Sequence, residues 1–254
     1  MHQFFVEKSQ VGKEYVTITG SDVNHIRNVL RMKIGETIRI SDREGGNYFC
    51  KIAETGENFV QADIVSVDEE GTELPSKIYL FQALPKGDRM ETVIEKAVEL
   101  GVYEIIPVAM KYCVVKLEGK KAAQRVQKWQ AQAETAAKQS KRSIIPKIHE
   151  VVSFKEALKL AENCDIRLVP YENENGMEGT RTVLEQIEPG KSISIMIGPE
   201  GGFAEEEIAK ARETMQSISL GRRILRTDTA GICMMSMLML QLESRILRKN
   251  SKKV

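Results

Sequence analysis

Residues 192–242 read SISIMIGPEGGFAEEEIAKARETMQSISLGRRILRTDTAGICMMSMLMLQL. An apolar run, SISIMI, stops at Gly198-Pro199-Glu200-Gly201-Gly202, and an acid-led helical pattern begins at once. A second short strand then leads into a basic loop, Leu220 to Ala230, and a methionine-rich helix. A short buried strand that feeds through a glycine turn into a helix predicts an α/β fold with a mostly parallel sheet. Ligands of such sheets lie at the carboxyl ends of the strands, where loops turn into helices. Both loops of this stretch are therefore candidates.

The same rhythm extends back to the strand KIYLFQAL, which opens into Pro85-Lys86-Gly87. Asp88 and Glu91 have capping-box spacing, Met90, Val93, Ile94, Ala97 and Val98 form an apolar stripe, and Gly101 ends the helix. VYEIIPVAM reads as a strand and residues 118–142 as a long helix stopped before Pro146. Ser153 and Glu156 open another helix, DIRLVP is a strand leading to Pro170-Tyr171-Glu172, and TRTVLEQI is a short helix. Residues 1 to 70 differ: FFVEK, EYVTIT, TIRISD, NYFCKIAE and FVQADIVSV alternate as short strands, with a hairpin turn at Glu44-Gly45-Gly46-Asn47. One helix interrupts them, with Ser21 as N-cap, Val23, Ile26, Val29 and Leu30 on its apolar face, and His25, Arg27, Arg31 and Lys33 outside it. This predicts a small β-barrel with one helix. The acidic, proline-closed stretch 68–75 reads as a linker, giving domains at 1–72 and 73–254.

Composition narrows the class. The chain has 254 residues, 42% of them apolar, and a net charge of only +1. No apolar run approaches the roughly 20 residues of a membrane span, and the start MHQFFVEKSQ lacks a signal peptide's pattern, so a cytoplasmic protein is expected. Cys50, Cys113, Cys164 and Cys233 are scattered, and with three histidines they give no metal-ligand spacing. Buried reduced thiols and no metal are the expectation. Basic residues cluster locally, from Lys116 to Lys147 and again at Arg245, Arg248, Lys249, Lys252 and Lys253. Such patches on a neutral protein suggest a polyanion-facing surface.

Familiar nucleotide signatures fail. Gly190-Lys191-Ser192 ends like a phosphate loop, but Glu185 stands where its first glycine belongs. No G-x-G-x-x-G and no G-x-S-x-G occurs. The turn at 198–202 itself carries Glu200, and Glu205, Glu206 and Glu207 fill the next helical turn. Those acids already complement the helix dipole, so a neutral or cationic ligand held by backbone groups fits better than an anion. The loop 220–230 adds Arg222, Arg223 and Arg226, a set suited to phosphate or carboxylate partners.

These residues resemble the ribosomal RNA small subunit methyltransferase E family, 16S rRNA (uracil-N3)-methyltransferases of the SPOUT superfamily. The matching stretches are NHIRNVLRMKIGE (24–36), GDRMETVIEKAVELGV (87–102), Trp129 with AETAAKQSKR (133–142), IGPEGGF with its glutamates (197–207) and SLGRRILRTDTA (219–230). The resemblance covers nearly the whole chain, and the last two motifs in that order are its specific part. Asp228 departs from the glutamate of the family's R-T-E-T-A pattern, and Lys138 and Lys141 replace an acid and a glycine.

The resemblance implies an N-terminal PUA-like barrel and a C-terminal SPOUT domain whose end is threaded into a deep trefoil knot, an arrangement almost absent elsewhere. It implies S-adenosylmethionine as cofactor, with Ile197, Gly198, Glu200, Gly201, Gly202, Leu220, Gly221, Ile224, Leu225 and Ala230 lining its site. It further implies a homodimer and the 30S ribosomal subunit, through its 16S rRNA, as partner. Uracil N3 carries a proton at neutral pH, so the enzyme must favour the uracil anion. Arg226 is the candidate for stabilising the developing charge, and Glu200 or Asp228 for accepting the proton or orienting the base. Lys86, Arg89 and Arg142, with Arg27 and Arg31 of the barrel, are the candidates for holding RNA phosphates. Two alternatives stay open at this point: a SPOUT enzyme acting on another RNA atom, and a non-catalytic RNA-binding assembly factor.

Overall fold

In the computed structural model, which describes residues 1–174 and 176–251 with side chains as far as Arg245, the chain divides into two units. One is Met1–Glu73 with Ala137–Ile145; the other is Leu74–Ala136 with the chain from Pro146 onward. The basic tail beyond Arg245 (Arg248, Lys249, Lys252 and Lys253) lies outside the described side chains.

In the first unit the alternating runs form β1 (Gln3–Phe5), β2 (Tyr15–Thr19), β3 (Thr37–Ser41), β4 (Asn47–Thr55) and β5 (Phe59–Val67). They make a curled sheet of order β1-β3-β4-β5-β2, antiparallel except for the β1–β3 pair. Its core holds Phe4, Val16, Ile18, Ile38, Ile40, Cys50, Ile52 and Val60, the inward members of each alternation. The expected hairpin turn forms because Asp42 Oδ1 accepts the N–H groups of Glu44 and Gly46.

The helix of this unit departs from expectation. Gly20, at φ +76°, occupies the cap position; α1 (Ser21–Asn24) then runs into a π-turn at His25–Val29. Leu30 N–H bonds to His25 O, five residues back, at 2.8 Å. The extra residue in that turn rotates Val29 out of the apolar face, and it ends 60% exposed while Val23 and Ile26 stay buried. Residues 137–145 belong to the same unit through polar contacts. Gln3 Nε2 donates to Arg142 O at 2.6 Å, and Asn47 Nδ2 donates to Ser143 Oγ at 2.8 Å.

The second unit alternates strands and helices: β6 (Ile78–Ala83), α2 (Arg89–Glu99), β7 (Glu104–Ala109), α3 (Gly119–Ser140), β8 (Lys147–Ile148), β9 (Val152–Ser153), α4 (Phe154–Ala161), β10 (Ile166–Pro170), α5 (Glu178–Gln186), β11 (Ile193–Ile197), α6 (Glu205–Thr214), β12 (Gln216–Ile218) and α7 (Thr227–Ser251). Every ladder in its sheet is parallel, in the order β12-β10-β11-β6-β7-β8, with β9 also on β7. β11 is buried at all five residues, as a strand covered on both faces must be. The stripe Met90, Val93, Ile94, Ala97 and Val98 on α2 is buried as its spacing predicts. Ser153 and Glu156 form their capping box, whereas Asp88 makes no side-chain cap. α7 returns from the edge strand β12 to pack on α2, β11 and β6, burying Met234, Met235, Leu238 and Leu242. Among the described residues no helix is long and apolar enough to cross a membrane.

Candidate active site

The central strand β11 delivers the chain at its carboxyl end into the turn 198–202. Gly202 N–H donates to Pro199 O at 2.9 Å and closes it. Gly202 sits at φ +75°, a left-handed conformation that favours glycine, and Glu172 Oε1 occupies the space beside it, 2.8 Å from where a Cβ would stand. The second loop, 219–226, is anchored at its start by buried Thr180. The Thr180 hydroxyl donates to Ser219 O at 2.8 Å and accepts Ser219 N–H at 3.0 Å.

One buried threonine ties the two loops together. Thr227, the first residue of α7, donates from Oγ1 to Gly198 O at 2.6 Å and accepts from Gln82 Nε2 at 2.9 Å. Gln82 lies near the end of β6 and is fully buried. Strand β6, the turn after β11 and the start of α7 are thus joined through a single hydroxyl. α7 begins at Thr227, earlier than the Ala230 that its apolar pattern suggests, because of this anchor.

Between the loops lies a cavity of about 240 Å³. Ile197, Gly198, Glu200, Gly202, Leu220, Gly221, Ile224, Leu225, Arg226 and Ala230 line it. Gly201 does not; its Cα approaches Tyr112, where a Cβ would come within 3.0 Å. Asp228 is also off the wall: it is half-buried in the first turn of α7, with Oδ1 buried and unpartnered. The wall further includes Tyr171, Glu172, Phe203 and Thr227.

The charges at the site fall into two groups. Glu200 is committed: it accepts the Lys86 N–H at 2.9 Å and pairs with Arg89 Nη1 at 2.7 Å. Burial pushes its carboxyl up, but those partners and its own N–H outweigh that and hold it below its ordinary value. Arg223, Arg226 and Glu172 are exposed, and their side chains make no hydrogen bond or ion pair among the described residues.

The expected RNA contacts separate likewise. Lys86 is exposed and Arg89 is held on Glu200. In the first unit Arg31 is exposed, at φ +53°, and Arg27 is exposed with Nη1 on Glu57 O at 3.1 Å. Arg142 corrects its expectation. It is 2% exposed and its guanidinium grips the Glu73 carboxylate through Nε and Nη2, so it serves the fold of its unit and presents no charge to a phosphate. The four cysteines are free; burial pushes all their thiols up, Cys50 to about 12. Among the described residues no group of three or more His, Cys, Asp or Glu side chains could hold a metal.

Gln82 and Thr227 escape a reading of the sequence because each looks ordinary in its own element and their bond spans most of the chain. Tyr171 and Glu172 had a signal, since the loop after β10 ends a parallel strand.

An RNA methyltransferase domain family matches residues 72–239, and an RNA methyltransferase PUA domain family matches residues 18–65. The ribosomal RNA small subunit methyltransferase E of Bacillus subtilis is 35% identical over 251 residues, spanning 96% of this chain and 98% of the relative. That of Mesomycoplasma hyopneumoniae is 32% identical, over 93% of this chain and 98% of the relative. Among solved structures, the Neisseria gonorrhoeae ribosomal RNA small subunit methyltransferase E bound to S-adenosyl methionine superposes with a TM-score of 0.81 at 31% identity, covering 94% of this chain and 97% of that one. With its paired loop motifs, parallel sheet and PUA unit, the chain belongs to the ribosomal RNA small subunit methyltransferase E family.

Proposed function

We propose that this protein uses S-adenosylmethionine to methylate N3 of a uridine in the 16S rRNA of the small ribosomal subunit. The observation that carries the reading is the cavity joining the turn 198–202 to the loop 220–226, lined by both specific motifs of the family. Its walls fit a cation-bearing nucleoside: backbone of two glycine turns, apolar Ile197, Leu220 and Leu225, and an uncommitted carboxylate. When bound, the cofactor supplies an activated methyl group, so no side chain has to act as a nucleophile.

The protein's task is to prepare the acceptor. The N3 proton must leave, and the negative charge then spreads onto the uracil oxygens. Arg226, on the cavity wall and free of partners, stabilises that charge. Asp228, two residues beyond Arg226 and just off the cavity wall, is the candidate for accepting the proton or orienting the base, with an Oδ1 that has no hydrogen-bond partner among the described residues. Glu200, lowered and paired, is a poor base and instead orients the Lys86–Arg89 segment beside the turn. N3 lies on the Watson–Crick edge, so the uridine enters unpaired or flipped from the stack. Lys86, Arg27 and Arg31 hold surrounding phosphates, and Arg89 shares its charge between Glu200 and the RNA. The threading of α7 into a trefoil knot, a homodimeric assembly and action in the cytoplasm complete the reading.

The test is incubation of 30S subunits from a strain lacking the enzyme with labelled S-adenosylmethionine, followed by nucleoside analysis. Labelled 3-methyluridine at one 16S position is expected. A different methylated nucleoside, or no transfer at all, overturns the assignment.

A further inference from the structure

Two carboxylates reach the cavity wall, and only one is already in use. Glu200 is spent on Arg89 and the Lys86 N–H. Glu172 is exposed and makes no hydrogen bond or ion pair among the described residues. The residue before it is anchored, since Tyr171 N–H donates to Ile218 O at 3.0 Å. The neighbouring Tyr171 ring meets Phe203 edge-on, with centroids 6.5 Å apart, and Arg212 stacks on it at 5.0 Å. Arg212 is in turn paired with Glu174, so this nearby cation is committed elsewhere. Glu172 Oε1 rests in the space that a side chain at Gly202 would fill. The site therefore keeps a free carboxylate against the glycine turn and leaves room for it.

The same wall carries the guanidinium groups of Arg223 and Arg226, unpaired among the described residues. An uncharged ligand would leave Glu172 without a counter-charge. A purely anionic one would be drawn to the two arginines and leave Glu172 opposed. A ligand with a positive centre satisfies it, and the partial enclosure of the cavity strengthens the attraction relative to open water.

We infer that Glu172 recognises the positive charge of the bound cofactor and makes the cavity prefer charged over uncharged adenosyl compounds. This rests on the reading that the cavity takes S-adenosylmethionine. Glu172 binds the cofactor; it takes no part in moving the proton.

Titration calorimetry on the full-length protein tests it, with S-adenosylmethionine and with 5′-methylthioadenosine, which keeps the nucleoside and thioether but lacks both positive centres. Glu172→Gln is expected to weaken S-adenosylmethionine binding by about tenfold while changing 5′-methylthioadenosine binding by less than about twofold. Glu172→Asp, which keeps the charge, should retain the preference for the charged compound. An equal loss for both ligands, or no loss for either, overturns the inference while leaving the cofactor reading intact. A wild-type protein that does not bind S-adenosylmethionine overturns both.

Discussion

Glu200 and Arg142 show how a charged residue's role depends on a partner that the sequence does not name. Glu200 has a carboxyl held below its ordinary value, so the Glu200–Arg89 pair contributes stability that is fully present above the ordinary carboxylate range. That contribution is lost as the pH falls through the lowered value of the folded protein. Glu200→Gln should therefore cost about 1 kcal/mol at neutral pH, since the pair is partly exposed, and its difference from wild type should shrink in acid. Thermal unfolding of both proteins across pH checks this; a difference that does not fade in acid contradicts the ion-pair role. Arg142 is the opposite of a surface grip. Arg142→Ala strands the Glu73 carboxylate and should destabilise the protein by about 3 kcal/mol in denaturant titration. The double variant Arg27→Ala, Arg31→Ala should instead leave stability nearly unchanged and reduce the salt slope of RNA binding by about one unit per lost contact. An unchanged slope would remove the first unit from the RNA grip.

At the scale of elements, local patterns were legible and long-range bonds were not. The buried stripe of α2, the Ser153–Glu156 capping box and the fully buried β11 follow from spacing alone. The π-turn at His25–Val29 does not, because Val29 fits an ordinary helical face and leaves it only where the turn widens to i→i−5 bonding. The cavity walls were legible because the first loop carries three glycines, a proline and a glutamate after a buried strand, and the second carries a glycine, three arginines and two threonines. Their lock was not: Gln82 and Thr227 lie 145 residues apart, and neither type marks a site by itself. Thr227→Val would leave Gly198 O and Gln82 Nε2 without their shared hydroxyl in a buried place. We expect a loss of about 2 kcal/mol in stability and about tenfold weaker S-adenosylmethionine binding, with Thr227→Ser close to wild type on both. If the valine variant binds the cofactor normally, the hydroxyl does not set the geometry of the two loops.

For the whole molecule, the question left by the fold is what covers the outer side of α7. Its inner side is used, since Met234, Met235, Leu238 and Leu242 are buried on α2, β11 and β6. Its outer side leaves Leu240 67% exposed, on a groove of about 590 Å³ that Met177, Leu184 and Met237 line together with Glu178, Arg181, Glu185 and Gln241. Apolar residues gathered in one groove are what an assembly surface requires, whereas single exposed ones need no explanation. Methionines suit such a surface, because their unbranched chains adapt to a facing copy. The proposed homodimer would use this face, and a two-fold axis makes each residue count twice. Burying Leu240 is worth about 1.5 kcal/mol per copy, so losing it from both copies weakens association by about 150-fold. A glutamate there adds like-charge repulsion across the axis. Sedimentation equilibrium should find wild type dimeric at micromolar concentration and Leu240→Glu monomeric, with unchanged far-ultraviolet circular dichroism. A monomeric wild type removes the dimer, and a variant that stays dimeric moves the interface away from α7.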